Sequence, residues 1–482
     1  MTEARHDGRR PVTSSRAAAL WGWLLAPRDA AGVAFFRVAF GLLVAASAWR
    51  FLASSWVDDL FTGTKLQLKY WGWQWVPALP APWIDRLFVA LGVLGVLVAV
   101  GLFYRAAIVL LFVTFTYLQV HDVSNYLNHY YLVVLLAGLL CFVPAHRAFS
   151  LDACIRPGLR SDMLPAWCTY LLRFQVAVVY VFAGIAKLTT DWLLHAQPLN
   201  IWLAARTDLP IVGPWLGERW VAYLASWGGV VFDTSVVCFL LARRTRPIAY
   251  LAVIAFHAAT LALFPIGMFP FIMTVSALIF FDSSWPREAW RRIRRRAGTP
   301  TQGRGRRILP PLARPGRAAW LALGAAAVYV ALQIAIPLRT HAYGGNVQWH
   351  EQGMRFSWRV MTREKNGSVT FVVRDPSDGR EWHVPPRQYL TRIQEREMSV
   401  QPDLILQLAH HIARDFRAKG RNVEVRADAL ASLNGRPAVR LVNPEVDLAR
   451  VADGLAPKWW IGDPPAGPPP HLRPLLIAER RP

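Results

Sequence analysis

The most informative stretch of the chain is Val178-Val179-Tyr180-Val181-Phe182-Ala183-Gly184-Ile185-Ala186-Lys187-Leu188-Thr189-Thr190-Asp191-Trp192. A long apolar run ends in a single lysine, which an acid and a tryptophan soon follow. An ionisable residue at membrane depth is costly, so it marks a candidate functional site. A lysine beside a tryptophan at a span end is also typical of an interfacial anchor. The stretch leaves both interpretations of Lys187 open.

The composition indicates an integral membrane protein. Of 482 residues, 54% are hydrophobic, and the net charge is +23. Most basic residues lie between apolar runs of roughly 20 residues, the length that crosses a bilayer. A nucleic-acid-binding protein would carry its basic residues on a folded, water-facing surface. The lipid bilayer is therefore the expected partner, and nucleic acid is not.

Nine apolar segments predict an α-helical polytopic membrane protein of about eight or nine spans, followed by a C-terminal soluble α+β domain. The third and eighth segments are short, so the span count depends on them. The segments are 31–53, 84–103, 106–121, 129–145, 166–188, 219–242, 247–264, 266–281 and 317–337.

Arginine-rich loops alternate with loops that hold few basic residues, and this asymmetry predicts the orientation. It places the N-terminus in the cytoplasm and, with nine spans, the C-terminal domain outside the plasma membrane. Eight spans would place that domain inside. The predicted parts are a basic cytoplasmic N-terminus (1–30), a membrane domain (31–281), a disordered basic cytoplasmic linker (282–316), a last span (317–337) and an extracytoplasmic α+β domain (338–482).

The C-terminal part shows strand, turn and helix patterns. Residues 368–374 and 381–384 alternate like the two strands of a hairpin. A helix is predicted from Pro402 to the stop at Gly420, and a second hairpin is predicted around Asn434-Gly435. The segment 463–473, rich in proline and glycine, is predicted to be extended.

Several polar residues fall toward the same ends of the predicted spans. We expect a lysine and two histidines to converge on one outward-facing cavity that the C-terminal domain covers. Arg37 and Asp233 lie inside spans, where they could pair with each other to keep charge tolerable. A lone histidine such as His257 can also be purely structural. The residues at these span ends are Asp122, Asn128, His129, Lys187 and His257.

A lysine in an apolar cavity has a plausible chemistry. Desolvation disfavours its ammonium form, and a neutral amine can take a proton from a weak acid such as a hydroquinone hydroxyl. A nearby histidine can donate a hydrogen bond to the resulting anion. Spacing alone does not select this chemistry.

Several sequence motifs, which follow one another in a fixed order, together resemble those of a known family. They are Phe36-Arg37-Val38-Ala39-Phe40-Gly41-Leu42, Gly101-Leu102-Phe103-Tyr104-Arg105, Asp122 with Asn128-His129-Tyr130-Tyr131-Leu132, Ala183-Gly184-Ile185-Ala186-Lys187-Leu188 with Asp191-Trp192, Phe256-His257 with Leu263-Phe264-Pro265-Ile266-Gly267-Met268-Phe269, and Phe356-Ser357-Trp358. Over residues 31–460 the chain resembles the vitamin K-dependent γ-glutamyl carboxylases, including the bacterial branch with the horizontally transferred transmembrane (HTTM) domain.

The resemblance implies an enzyme that couples the oxidation of reduced vitamin K (phylloquinol or menaquinol) by O2 to vitamin K epoxide with the carboxylation of peptide glutamate by CO2. Lys187 would be the base on the quinol, and His129 would stabilise the quinol oxyanion. His257, Asn128 and Met268 would line the cofactor pocket, and no metal is expected. The remaining polar residues of the bundle are assigned structural roles: Arg37, Asp122, Asp191 and Asp233.

The implied partners are a glutamate-containing protein or peptide and a quinone reductase that recycles the cofactor. The chain departs from the animal members at Ala186, where they carry a second lysine. Two other functions stay open from the sequence. One is a membrane quinol redox protein with His129 and His257 as haem ligands, and the other is a non-catalytic membrane scaffold that displays the C-terminal domain.

Overall fold

The computed structural model describes residues 16–296 and 317–472, and its described part confirms the predicted fold class. Seven helices are long and apolar enough to cross a membrane, and α5 and α13 are shorter apolar helices. Together they match the nine predicted segments to within a few residues. The helices of this part are α1 (Arg16–Leu25), α2 (Ala31–Leu52), α3 (Ala81–Val100), α4 (Tyr104–His121), α5 (Asn128–Phe142), α6 (Leu151–Ile155), α7 (Trp167–Ala186), α8 (Thr190–His195), α9 (Leu199–Ala204), α10 (Gly213–Leu216), α11 (Arg219–Leu241), α12 (Arg246–Leu263), α13 (Phe269–Ala277), α14 (Trp285–Arg296) and α15 (Arg317–Leu338).

The helices α2 and α3 cross closely at two glycines. A Cβ on Gly41 would lie 2.5 Å from the backbone of Ala99, and one on Gly95 would lie 2.8 Å from the backbone of Ala45. Apolar side chains gain no hydrophobic energy by leaving lipid, so helices in a membrane associate through close packing. Small residues permit that close packing. The tight pairing of these two helices therefore depends on the absence of side chains at both positions.

The arginine-rich loops gather at one end of the bundle. There β1 (Pro27–Asp29) pairs antiparallel with β2 (Met163–Pro165). Arg287 ties them together through ion pairs of 2.8 Å to Asp29 and 2.7 Å to Asp162. The loops that the charge pattern assigns to one side of a membrane therefore share one end of the molecule.

The C-terminal domain contains a four-stranded antiparallel sheet in the order β4-β3-β5-β6, with helix α18 packed against it. Both predicted hairpins and the predicted helix are confirmed, and β5 is longer than expected. Asn434 and Gly435 turn the second hairpin with φ angles of 52° and 82°, the left-handed region that such tight turns need. The elements are α16 (Val347–His350), β3 (Lys365–Arg374), β4 (Glu381–Val384), α17 (Arg392–Met398), α18 (Pro402–Ala418), β5 (Glu424–Leu433) and β6 (Val439–Arg440).

The structure adds local detail to two of the predicted segments. Part of the N-terminal segment 1–30 is helical, and residues 285–296 of the predicted linker form the amphipathic helix α14 rather than a disordered chain. Its first turn is attached to the bundle by Trp285, which packs against Phe35, and by the ion pairs of Arg287. Residues 1–15, 297–316 and 473–482 lie outside the described residues.

The segment 463–472 contains no helix or strand, as predicted, and it lies along the membrane domain. The amide of Gln197 donates to the Pro470 carbonyl at 2.8 Å. Asn200 exchanges hydrogen bonds of 3.0 and 2.8 Å with the backbone of Leu472. This segment therefore straps the C-terminal domain to the loop that follows α8.

Candidate active site

Lys187 is the last residue of the turn that ends α7. The helix runs apolar until Ala186, and Thr189 then starts α8 by accepting a hydrogen bond from the Trp192 backbone. Gly184, one turn before the helix end, allows α11 to approach. A Cβ at Gly184 would lie 2.6 Å from the Thr234 side chain and 3.0 Å from its backbone nitrogen. Lys187 thus lies one turn beyond a close approach of α7 and α11.

The Lys187 ammonium is buried and paired. Its Nζ lies 2.8 Å from Asp233 Oδ2, and the two side chains are only 8% and 7% exposed. Nζ also donates to the Ala183 carbonyl at 3.2 Å and lies 5.3 Å from the Trp192 ring centroid. A snorkelling lysine would instead place its charge in water. The geometry therefore rejects the anchor interpretation of Lys187.

Arg37 does not pair with Asp233, so the expected pairing of these two residues is wrong. The Arg37 guanidinium donates to the carbonyls of Ala99 (3.2 Å), Ala145 (3.3 Å) and Phe149 (2.5 Å). Ala99 lies at the end of α3, and Ala145 and Phe149 lie in the arginine-containing loop between α5 and α6. Arg37 therefore links these chain segments at the arginine-rich end. Its guanidinium is hydrogen-bonded to backbone carbonyls rather than paired with a carboxylate.

Lys187, Asp233 and His257 line a cavity of about 350 Å³. Most of its remaining wall is apolar or aromatic, contributed by α7, α9, α11 and α12. The Tyr180 hydroxyl lies 3.1 Å from His257 Nε2, which fixes the imidazole against the wall. His257 Nδ1 is buried without a hydrogen-bond partner among the described residues. Two polar centres therefore meet a largely apolar space, as in small-molecule sites generally.

His129, Asn128 and Met268 line a second cavity, of about 520 Å³. His129 lies in the first turn of α5 and is buried, and its imidazole forms no hydrogen bond within the described residues. Asn128 accepts a hydrogen bond of 3.0 Å from the Tyr126 hydroxyl. The imidazole of His129 is therefore available to a bound molecule.

The two cavities share one wall rather than merging into the single cavity that the sequence led us to expect. Phe269 contacts both imidazoles, with ring centroids 6.0 Å from His129 and 5.8 Å from His257. Phe269, Ile266, Val360 and Met361 line both spaces. Two of these four residues, Val360 and Met361, belong to the C-terminal domain, so that domain forms part of the wall of both cavities.

Asp191 fastens the segment after Lys187 to the C-terminal domain. Arg436 binds it through bonds of 2.6 and 2.7 Å, and the Asn434 amide donates a third bond of 2.7 Å. Burial alone would raise the pKa of Asp191, but the bonds from Arg436 and Asn434 outweigh burial and lower it. The tight turn of the second hairpin thus clamps the loop that carries Lys187, and we call Asp191, Asn434 and Arg436 the clamp.

Asp122 makes a second connection between the domains. It accepts hydrogen bonds from the Ser124 backbone at 2.8 Å and from the Gln394 side chain of α17 at 2.7 Å. Burial raises the pKa of Asp122 in spite of these bonds. Its side chain lines neither cavity, so its role is to join the domains rather than to contact a ligand.

Three kinds of residue at this site escaped the sequence analysis. Tyr180 precedes Lys187 by seven residues, two helical turns, so helical periodicity could have identified it as a residue on the same face. Phe269 was part of a recognised motif without a role. Val360, Met361 and Arg436 come from the C-terminal domain, and no local pattern could have predicted which of its loops meets the bundle.

The fold and the site define an integral membrane protein with a buried lysine–aspartate pair beneath a C-terminal α+β domain. Residues 25–285 match the family model described as the HTTM domain. Residues 319–465 match the model described as the lumenal domain of vitamin K-dependent gamma-carboxylase. The chain therefore belongs to the vitamin K-dependent gamma-carboxylase family with an HTTM domain. No solved structure matches it.

The clamp leads to a testable prediction. Replacing Asp191 with Asn removes the charge that binds Arg436, and a charge-assisted hydrogen bond contributes about 1.5–3 kcal/mol. We expect backbone hydrogen exchange at residues 433–437 to accelerate by about tenfold or more in Asp191→Asn. Asp428→Asn, an exposed change on β5, is the matched control and should exchange as the wild type does.

The pH dependence of the clamp follows from the lowered pKa of Asp191. A carboxyl group whose pKa is lowered in the folded state contributes its full stabilisation of that state at pH values above its ordinary pKa of about 3.9. The contribution is lost as the pH falls through the lower, folded-state pKa.

Unchanged exchange in Asp191→Asn near neutral pH would show that the clamp does not hold the domains together.

Proposed function

We propose that this protein carboxylates glutamate side chains of a protein or peptide with CO2, driven by oxidation of reduced vitamin K by O2. The observation that carries the proposal is the Lys187–Asp233 pair, buried at the wall of an apolar cavity in a member of this family. Reduced vitamin K, when bound, supplies the reducing power whose release generates a base strong enough to deprotonate the glutamate γ-carbon.

The residues present fit such a quinol. Its fused rings and hydrocarbon chain need an apolar space, and its hydroxyl groups need a small number of polar partners. The smaller cavity offers both, with Lys187 and the orphaned Nδ1 of His257 at its wall. The aromatic ring of Phe269 continues that wall into the larger cavity, where His129 lies. Residues of both cavities would therefore hold the cofactor.

Lys187 can act as a base only as a free amine. Asp233 Oδ2 accepts a hydrogen bond of 2.8 Å from Nζ, which orients the amine at the cavity wall. In our proposal Nζ then accepts the proton of the quinol hydroxyl, and Asp233 is the positioning residue that holds Nζ at the cavity.

The histidines have different proposed roles. His129 has no hydrogen-bond partner within the described residues, so it can donate a bond where negative charge develops on a bound molecule. His257 is fixed by Tyr180 and shapes the smaller cavity. Asn128 and Met268 line the space around His129. These assignments give each sequence-predicted site residue one task.

The C-terminal domain would receive the peptide and keep water out. Val360 and Met361 contribute apolar side chains to the wall of both cavities. A base strong enough to deprotonate a glutamate γ-carbon would be quenched by water, so such a cover is a chemical requirement. The clamp attaches this cover to the segment that carries Lys187.

The haem alternative has less support. Axial ligands of one iron must face it from the same space, whereas His129 and His257 line different cavities with Phe269 against both rings. His257 Nε2 is also engaged by the Tyr180 hydroxyl. A pair of axial ligands would require both arrangements to change.

We further propose that the protein lies in the plasma membrane with its arginine-rich end in the cytoplasm and its C-terminal domain outside. A quinone reductase in the same membrane would return the oxidised cofactor to the quinol. The substrate would be an extracytoplasmic protein or peptide that contains glutamate.

The central prediction of the proposal concerns Lys187. Lys187→Met keeps an apolar chain of similar length and removes the amine, so we expect carboxylation to fall by about 100-fold or more. The assay incubates the purified protein with reduced vitamin K, labelled CO2 and a glutamate-containing peptide. Incorporated label is then counted.

The matched control is Lys65→Met, because Lys65 is exposed in the loop between α2 and α3. It should carboxylate as fast as the wild type. Equal rates for Lys187→Met and the wild type would remove Lys187 from the mechanism. A folded wild type that incorporates no label with any tested peptide or quinol would favour the scaffold alternative.

The orientation can be tested with cysteine labelling in intact cells. Cys154 is exposed on α6 at the arginine-rich end, and Asp428→Cys introduces a thiol on the C-terminal domain. A membrane-impermeant maleimide should label Asp428→Cys from outside, while Cys154 should react only after the membrane is opened. Labelling of Cys154 alone in intact cells would reverse the proposed orientation.

A further inference from the structure

A cavity of about 190 Å³ lies at the arginine-rich end of the bundle, away from the proposed active site. Arg173, one of its lining residues, precedes Lys187 by 14 residues on α7, about 21 Å along the helix axis. Four arginines line it together with one acid: Arg28, Arg173, Arg243, Arg246 and Asp282. Nothing in the proposed carboxylation uses this space.

Two of these arginines are fixed in place by helix ends. Arg173 donates to the carbonyls of Ile279 and Phe281, each at 2.8 Å. Arg246 donates to the carbonyls of Leu240 and Leu241 at 2.7 and 2.9 Å. These bonds orient the guanidinium groups without cancelling their charge, since a carbonyl carries only a partial charge.

The charge around the cavity is unbalanced. Within residues 16–296 and 317–472, neither Arg173 nor Arg246 forms an ion pair with a carboxylate. Of the four arginines, Asp282 forms an ion pair only with Arg243 among the described residues, at 3.9 Å, and both side chains are exposed. Four guanidinium groups against one carboxylate leave an excess of three positive charges. A partly buried cluster of like charges is costly unless an anion accompanies it.

The chemistry of the lining selects a phosphate group. Guanidinium groups donate pairs of hydrogen bonds that match the oxygens of a phosphate. Arg28 also donates to the Tyr170 hydroxyl at 3.0 Å, and this bond orients its guanidinium at the cavity rim. We propose that this cavity binds the phosphate of an anionic phospholipid headgroup.

The location favours a lipid as the source of that phosphate. Trp23 stacks on Tyr170 with ring centroids 4.1 Å apart, and Trp285 packs edge-on against Phe35 at 4.7 Å. Tryptophan and tyrosine concentrate at the level of lipid headgroups. The basic face of α14 begins beside the same cavity, and basic segments accumulate where anionic lipids are abundant. A lipid bound here would join the starts of α7 and α12 to the end of α13.

The test measures lipid binding by the purified full-length protein in detergent, using native mass spectrometry and thermal unfolding. The probes are dioleoyl phosphatidylglycerol, dioleoyl phosphatidylcholine and sodium phosphate. We expect phosphatidylglycerol to remain bound and to raise the Tm, and phosphatidylcholine to do neither. Arg243→Gln should bind phosphatidylglycerol about tenfold more weakly, the effect of losing one charge-assisted contact.

Arg244→Gln is the matched control, because Arg244 is exposed in the same loop and does not line the cavity. It removes the same charge and should bind lipid as the wild type does. Arg28→Gln provides a second variant that spares the bonds of Arg173 and Arg246 to the helix ends. Equal weakening in Arg243→Gln and Arg244→Gln would overturn the site in favour of diffuse attraction. Stabilisation by sodium phosphate alone, lost in Arg243→Gln, would overturn the lipid assignment in favour of free phosphate.

Discussion

The arrangement of the membrane domain depends on the need to neutralise a lysine inside an apolar bundle. Lys187 Nζ has almost no access to solvent, so its position requires Asp233 on the neighbouring helix. That pairing requires α7 and α11 to approach closely, which Gly184 permits because no side chain stands between the helices. Trp192 then packs over the pair and bonds the Ser226 carbonyl of α11 at 2.8 Å. The burial of this one charge thus explains the positions of Gly184, Asp233 and Trp192.

The C-terminal domain is joined to the bundle by polar contacts on several sides of the site. The clamp at Asp191, the Asp122–Gln394 bond and the segment 463–472 each connect a membrane-domain loop to that domain. Leu68 and Val123, from loops of the membrane domain, belong to the hydrophobic core of the C-terminal domain. The cover over the two cavities is therefore part of the same folded unit as the helices that line them.

The nine apolar helices and both hairpins could be predicted from the sequence, because apolar length, alternation and turn residues are local signals. Lys187, His129 and His257 could also be selected, since polar residues in apolar runs stand out. Their partners could not be predicted. Asp233 was expected to neutralise Arg37, but three backbone carbonyls satisfy Arg37 instead. Which helix faces which, and where Val360 and Met361 meet the bundle, are set by tertiary packing that local patterns do not encode.

The most direct test of the account compares Asp233→Ala with Asp233→Asn in the release of tritium from peptide glutamate labelled at the γ-carbon. With reduced vitamin K and O2 present, the wild type should release tritium. Asp233→Ala should release it about 100-fold more slowly, because Nζ loses the group that orients it. Asp233→Asn should recover part of the rate, since its side-chain oxygen can still accept a hydrogen bond from Nζ. Release by Asp233→Ala at the wild-type rate would contradict the claim that the Lys187–Asp233 pair is the centre of the site.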